Sequence, residues 1–513
     1  MGSDRHPGSL DPENVISSLT DAGTFSSWDD DTFSMNAPAF DHPSPYTNQL
    51  LEARKSSYGT ESIITGRADI AGHPTVLIVG DFSFIAGSIG ITASERLCRA
   101  FERAAQDKLP VVAITSSAGT RMQEGSLGFV QMIKITQSIR DFRREGLPYI
   151  VYLANPTLGG VLASWGSLGH VTFAAPNALI GLTGPRVVAL TETAPLPIHV
   201  QKSEHLRQHG LLDDILPLTE LKKRLSRLLR SLEPPSPPMK AADLGNLSEQ
   251  YAVERVDPWQ CVRLSRDKHR PAARELIGAL ARDITYLRGD RAGGGDDSAC
   301  ITAIARVADM PVIMIAQDRS HAPEGARMTV SGYRKALRAI ACAGEMRLPL
   351  LTIIDTPGAE LSISTEEEGL AGTIAACLYE LLGLSTPTIS ILLGEGGGGG
   401  ALALLPADRI VAAQHSWLSP IRPEGASVVL YGSAAEAAKL ARDQAIAAWQ
   451  LQQLGIVDIV VPELPSASDE GEVFLSRMAK VVSRGLLELT AAHDEERLAR
   501  RTDRYRNEAR SPS

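Results

Sequence analysis

The chain has 513 residues, 43% hydrophobic and 22% charged, a globular composition that excludes a disordered or collagen-like chain. Lysine and arginine number 51 against 60 acids, a formal net charge of −9, which argues against a broad nucleic-acid footprint. The five cysteines (Cys98, Cys261, Cys300, Cys342 and Cys377) form no CxxC pair, so neither a disulfide scaffold nor a cysteine-rich zinc site is expected, and a reducing, cytoplasmic setting fits.

Residues 1–45 carry eight acids and one base and read as an acidic, flexible N-terminal arm without the basic and apolar regions of a signal peptide. LPVVAITSSAGT then reads as a buried strand ending in a glycine loop. Met132, Ile135, Ile139 and Phe142 recur at helical spacing after it. LPYIVYLANPTLGG is a second buried strand running into a helix. Gly146–Pro185 is free of formal charge for 40 residues, but prolines and glycines break it, so it reads as buried core and not a membrane span. EPPSPP at 233–238 cannot continue a helix and marks a linker over 233–262.

The order then repeats. LPLLTIIDTPGA is a strand with a glycine loop, EEGLAGTIAACLYELLG a helix, and TPTISILLGEGGGGG a strand entering a helix at ALALL. Pro110 and Pro148 stand 38 residues apart, as do Pro349 and Pro387, and an offset of 239 also maps Gly119 onto Gly358 and Gly160 onto Gly399. Two copies of one α/β domain are therefore expected, over 46–232 and 263–463, with a loop and one charged helix over 464–513.

Each copy places a glycine at a strand end and a glycine pair at a helix start. Backbone N–H groups there lack helical partners and tolerate close approach, so two of them converging form an oxyanion hole. The candidates are Ala118–Gly119 with Gly159–Gly160, and Gly358–Ala359 with Gly398–Gly399. For any single pair, tight helix–strand packing explains the glycines as well; the matched pairs favour a function. GEGGGGG lacks the GK[ST] ending of a P-loop. Glu124, Glu366, Glu367 and Glu424 near the loops are more simply caps or ion-pair partners than bases. Arg334 and Lys335 read either as a solvated helix face or as a phosphate site. No closed Cys/His set is present, so no metal is expected.

DFSFIAGSIG (81–90), GTRMQEGS (119–126), NPTLGGVLAS (155–164) and ALIGLTGPRVV (178–188) resemble the beta subunit of bacterial acetyl-CoA carboxylase carboxyltransferase. RGDR (288–291), GYRKALR (332–338), DTPGA (355–359), GEGGGGGALAL (394–404) and RPEGAS (422–427) resemble the alpha subunit. The resemblance implies two tandem crotonase-like (ββα superhelix) domains, the beta type on the acyl-CoA side and the alpha type on the biotin side. It implies transfer of a carboxyl group from carboxybiotin, on a separate carrier protein, to the α-carbon of acetyl-CoA or another short acyl-CoA. A separate biotin carboxylase and a homodimer or higher oligomer follow from it. Carried over by position, Gly119, Gly159 and Gly160 serve the thioester enolate, with Ala118, Thr120 and Arg121 binding substrate beside them. Gly358, Ala359, Gly398 and Gly399 serve biotin. The family's four-cysteine zinc ribbon is absent, the serine of its SPEG motif is Arg422, and Glu360 stands where the family has AYPG. On these residues two other readings stay open: a biotin-independent decarboxylase of malonyl-type thioesters, and a non-catalytic scaffold.

Overall fold

The computed structural model describes residues 9–29, 45–184, 196–197, 199–235, 239–244, 253–319 and 327–507. Parts of the expected arm (1–8, 30–44) and of the linker (236–238, 245–252) lie outside the described residues. The chain divides into two compact units, 1–229 and 230–513.

In the first unit the strands are β1 (Ser26–Ser27), β2 (Ile63–Ile70), β3 (His73–Gly80), β4 (Val111–Ser117), β5 (Tyr149–Leu158), β6 (Val171–Ala174), β7 (Ile180–Gly181) and β8 (Asp214–Ile215). The sheet order is β1-β2-β3-β4-β5-β6-β8, with β7 paired to the end of β5. Pairing is antiparallel from β1 to β3 and parallel beyond, and β4 and β5 are near-continuous apolar runs because both faces of a parallel sheet are covered. Ile135, Ile139 and Phe142 on the helix Gly125–Arg144 are buried as their spacing predicts, with Met132 partly covered. Phe142 and Tyr149 each meet Phe101 edge-on.

In the second unit the strands are β9 (Arg282–Leu287), β10 (Cys300–Val307), β11 (Met310–Gln317), β12 (Leu350–Thr356), β13 (Thr388–Gly397), β14 (Arg409–Ala413), β15 (Trp417–Ser419) and β16 (Ile459–Val461). Their order, β9-β10-β11-β12-β13-β14-β16 with β15 on β13, repeats the first sheet. β12 and β13 begin 239 residues after β4 and β5, and the register breaks between Thr115 and Ser117 as it does between Ile354 and Thr356.

Two stretches differ from their expected form. Within the expected arm, residues 9–29 are built into the first unit. Asp11 caps the helix Pro12–Leu19, whose Val15, Ile16 and Leu19 are buried, and β1 pairs with β2. The acids that suggested an arm are used as acceptors: Asp21 takes the Gly72 N–H at 2.7 Å, and Asp29 takes the N–H and hydroxyl of Thr65 at 2.9 and 2.7 Å. Beyond 464 two longer helices occur, Glu472–Ala491 and Asp494–Asn507. Buried Arg497 and Arg501 clamp the second of these to Asp408, which also accepts the N–H that opens β13.

Candidate active site

The two glycine loops sit at the ends of matched strands and are braced alike. In the first unit, Ser117 Oγ accepts the Gly119 N–H at 3.0 Å and donates to Gly87 O at 2.6 Å. In the second, Thr356 Oγ1 accepts the Gly358 N–H at 3.2 Å. Gly119 and Gly358 have φ of +117° and +136°, and Gly159 and Gly398 have +63° and +61°. L side chains rarely adopt this backbone region. A Cβ on Gly159 would lie 3.2 Å from the Gly119 Cα, so the paired loops of the first unit touch. In the second unit a Cβ on Gly397 would stand 2.4 Å from Pro357 O.

These contacts decide which N–H groups remain for a ligand. Gly119 and Gly358 spend theirs on the hydroxyl braces, and Gly159 donates to Gly181 O at 3.0 Å. Among the described residues no protein acceptor takes the N–H of Thr120 or Gly160, nor that of Ala359 or Gly399. Each positive-φ glycine shapes its loop, and the residue after it offers the donor. Gly399 is exposed, and a Cβ there would meet only Ile374 at 3.7 Å, so packing does not demand glycine. At Gly160 a Cβ would stand 2.7 Å from Thr120 Oγ1.

The charged candidates fare differently. Arg121, expected beside the substrate, is buried with 1% of its surface exposed. Its guanidinium grips the Glu61 carboxylate and donates to Ser88 O at 2.7 Å. Glu124 accepts the Ile91 N–H at the start of the helix Ile91–Asp107 and the Tyr46 hydroxyl. Arg121 is thus a core ion pair whose partner lies 60 residues upstream, out of reach of local sequence reading. Lys335 is likewise buried; its ammonium donates at 2.6 Å to both Asp296 Oδ1 and Cys300 O, which excludes both a solvated face and a phosphate site. We expect Lys335→Met to cost about 2 kcal/mol of stability and to leave substrate KM unchanged, read by thermal melt beside steady-state kinetics. Arg334 alone of this pair is accessible, with Glu368 at 3.7 Å. Ala118 is exposed and its N–H is spent on Ala86 O. Glu366 and Glu367 lie exposed on the short helix Ile363–Glu367.

Sequence reading missed the braces Ser117 and Thr356, although the hydroxyl two residues before each glycine obeys the 239 offset. It also missed Tyr333, whose buried hydroxyl has no hydrogen-bond partner among the described residues and lies 2.8 Å from where a Cβ on Gly400 would sit. Burial raises the pKa of that hydroxyl, keeping it protonated. Among the described residues no His/Cys/Asp/Glu group is arranged to hold a metal, and no helix is long and apolar enough to cross a membrane.

Two sheets of the same order with glycine loops at matched strand ends define a pair of tandem crotonase-like domains. Transcarboxylase 12S, a hexamer solved with methylmalonyl-coenzyme A bound, shares this fold at a TM-score of 0.72 and 19% identity, covering 94% of this chain and 91% of that one. The acetyl-coenzyme A carboxylase carboxyltransferase-like family matches residues 220–509, and the carboxyl transferase domain matches residues 33–219. Over 488 residues the chain is 42% identical to a probable biotin-dependent acyl-coenzyme A carboxylase beta3 subunit of Mycobacterium tuberculosis, covering 95% of this chain and 96% of that one. It is 35% identical over 470 residues to the acetyl-coenzyme A carboxylase carboxyl transferase subunits beta/alpha of Salinispora arenicola, covering 88% and 82%. The chain belongs to the carboxyltransferase family of biotin-dependent acyl-coenzyme A carboxylases, with a beta-type unit followed by an alpha-type unit.

Proposed function

We propose that this chain moves a carboxyl group from carboxybiotin, held on a separate carrier protein, to the α-carbon of acetyl-CoA or another short acyl-CoA. The observation that carries the reading is the pair of matched loops, each with two N–H donors that no group among the described residues accepts: Thr120 with Gly160, and Ala359 with Gly399. Carboxybiotin supplies the carboxyl group and the base that takes the α-proton, so no side-chain base is required of the protein. Thr120 and Gly160 stabilise the thioester oxygen as it gains enolate charge. Ala359 and Gly399 hold the ureido oxygen of biotin. The exposed start of the helix Gly398–Leu402 leaves room for that ring. Gly119, Gly159, Gly358 and Gly398 keep the shape that lets these donors converge.

Incubation of the full chain with carboxylated carrier and a panel of acyl-CoAs tests the reading. Transfer to a short acyl-CoA is expected. Carrier-independent decarboxylation of a malonyl-type thioester, with no transfer, would overturn it.

The same reading makes the protein a dimer or larger oligomer that works with a separate biotin carboxylase, in the cytoplasm, where its five buried cysteines, none in a disulfide, stay reduced. Leu127, Phe129 and Ile133 leave an apolar stripe exposed on the helix Gly125–Arg144, and Val428, Val429, Leu430 and Tyr431 leave another on the helix Pro423–Tyr431. We assign these faces to contact between copies. Phe129→Glu is expected to shift the sedimentation profile toward monomer and to lower transfer at least tenfold at dilute protein.

A further inference from the structure

Beside the second glycine loop lies a compact cluster of arginines and acids. Glu395, in β13 two residues before Gly397, is buried and already served on both oxygens, by Arg266 Nε at 2.8 Å and by Arg319 at 3.5 Å. Arg319 also reaches Asp355 at 3.0 Å, and both terminal nitrogens of Arg266 bind Glu424.

Arg422 is paired less completely. It stands at the N-cap of the helix Pro423–Tyr431, and its closest carboxylate, Glu395, is 3.7 Å away, beyond hydrogen-bond distance. Among the described residues its buried Nε has no hydrogen-bond partner. Arg327 adds a further positive charge within electrostatic range; burial, then Arg266 and Arg327, disfavour the charged guanidinium, with Glu395 opposing them. An arginine always carries its charge and five donors. Among the described residues the terminal nitrogens of Arg422 make no hydrogen bond to a carboxylate, so they remain as a half-buried pair of donors for an anion from outside.

The placement is fixed by the sheet. Ser419 pairs with Gly397, and Pro420 O comes 3.3 Å from where a Cβ on Gly398 would sit. The segment leading into Arg422 therefore runs along the second loop. The surrounding acids, Glu395 and Glu424, oppose a multiply charged anion and leave a planar, singly charged one as the fitting partner, which a guanidinium binds through two parallel hydrogen bonds. Arg422 stands where the SPEG motif of the resembling family has serine.

We propose that Arg422 binds the carboxylate that the donor brings to the second site, which makes it a specificity-determining residue beside Ala359 and Gly399. This rests on the carboxyltransferase reading above.

The test compares the full chain with Arg422→Gln and Arg422→Lys, each checked for folding by thermal melt. The first measurement is the line width of [13C]formate against protein concentration. Formate is expected to bind the wild type about tenfold or more tightly than Arg422→Gln, with Arg422→Lys between them. The second is carboxyl transfer: KM for the carboxylated carrier rises about tenfold or more in Arg422→Gln, while KM for acyl-CoA holds. Equal formate binding by wild type and a folded Arg422→Gln overturns the proposal. A KM shift confined to acyl-CoA, or to malonyl-CoA in the reverse direction, also overturns it, because the carboxylate then belongs to the product. A wild type that binds formate through Arg422 but transfers no carboxyl group leaves the anion site standing and removes the carboxyltransferase reading.

Discussion

Gly399→Val is expected to fold like the wild type and to lose carboxyl transfer by about 100-fold or more, the scale of removing an oxyanion donor. Gly399 has room: a Cβ meets only Ile374 at 3.7 Å, and the residue is exposed. Its φ lies outside the left-handed region, unlike that of Gly398, so a branched side chain costs the backbone little. What the isopropyl group obstructs is the space over the Gly399 N–H, where a ureido oxygen would sit. Acyl-CoA binding, measured by calorimetry, should be unchanged, since the first loop lies in the other unit. Full transfer by a folded Gly399→Val protein would make the second loop a packing device. Gly160→Val is a less clean probe, because its side chain must displace Thr120 Oγ1 and Met132.

The largest stability effect is expected at Glu463. Its carboxylate and the Arg270 guanidinium are both fully buried and bonded through both arms, and Glu463 Oε2 also meets His415 Nδ1 at 2.9 Å. Backbone N–H groups of His415 and Ala467 complete its shell at 3.0 and 2.8 Å. Glu463→Gln would leave Arg270 uncompensated in the core and cost about 3–5 kcal/mol, read as a lower denaturation midpoint of the second unit. Burial alone would raise the Glu463 pKa, but Arg270 and His415 outweigh burial and hold the carboxyl well below its ordinary 4.5. A folded value below the unfolded one contributes stability that is complete above the ordinary carboxylate range and drains as pH falls through it. Wild-type stability should therefore drop from about pH 5 downward, and Glu463→Gln should flatten that slope. An unchanged acid slope in the variant would show that other carboxylates carry it.

Much of the architecture was legible in the chain. The strands at Val111–Ser117 and Leu350–Thr356 announce themselves as apolar runs bounded by proline and glycine. The helix Gly125–Arg144 shows its buried face at helical spacing. The N-terminal helix was not legible, because three apolar residues in an acidic stretch are too few to set a period. The acids there serve turns and caps, which a charge count does not distinguish from a solvated run.

The sequence by itself determined the duplicated α/β frame and the glycines at matched strand ends, because periodicity and positive φ are local demands that each residue meets or fails alone. Only the tertiary structure decided which N–H groups stay free. Gly119 and Gly159 lose theirs to Ser117 and Gly181, while Thr120 and Gly160 keep theirs. It also decided which charges are spent inside the core. Arg121 is consumed by Glu61 and Lys335 by Asp296, whereas the buried Nε of Arg422 has no hydrogen-bond partner among the described residues. A charged side chain is spent or spared according to burial and the partners that distant segments bring to it, and neither is written in its neighbours along the chain.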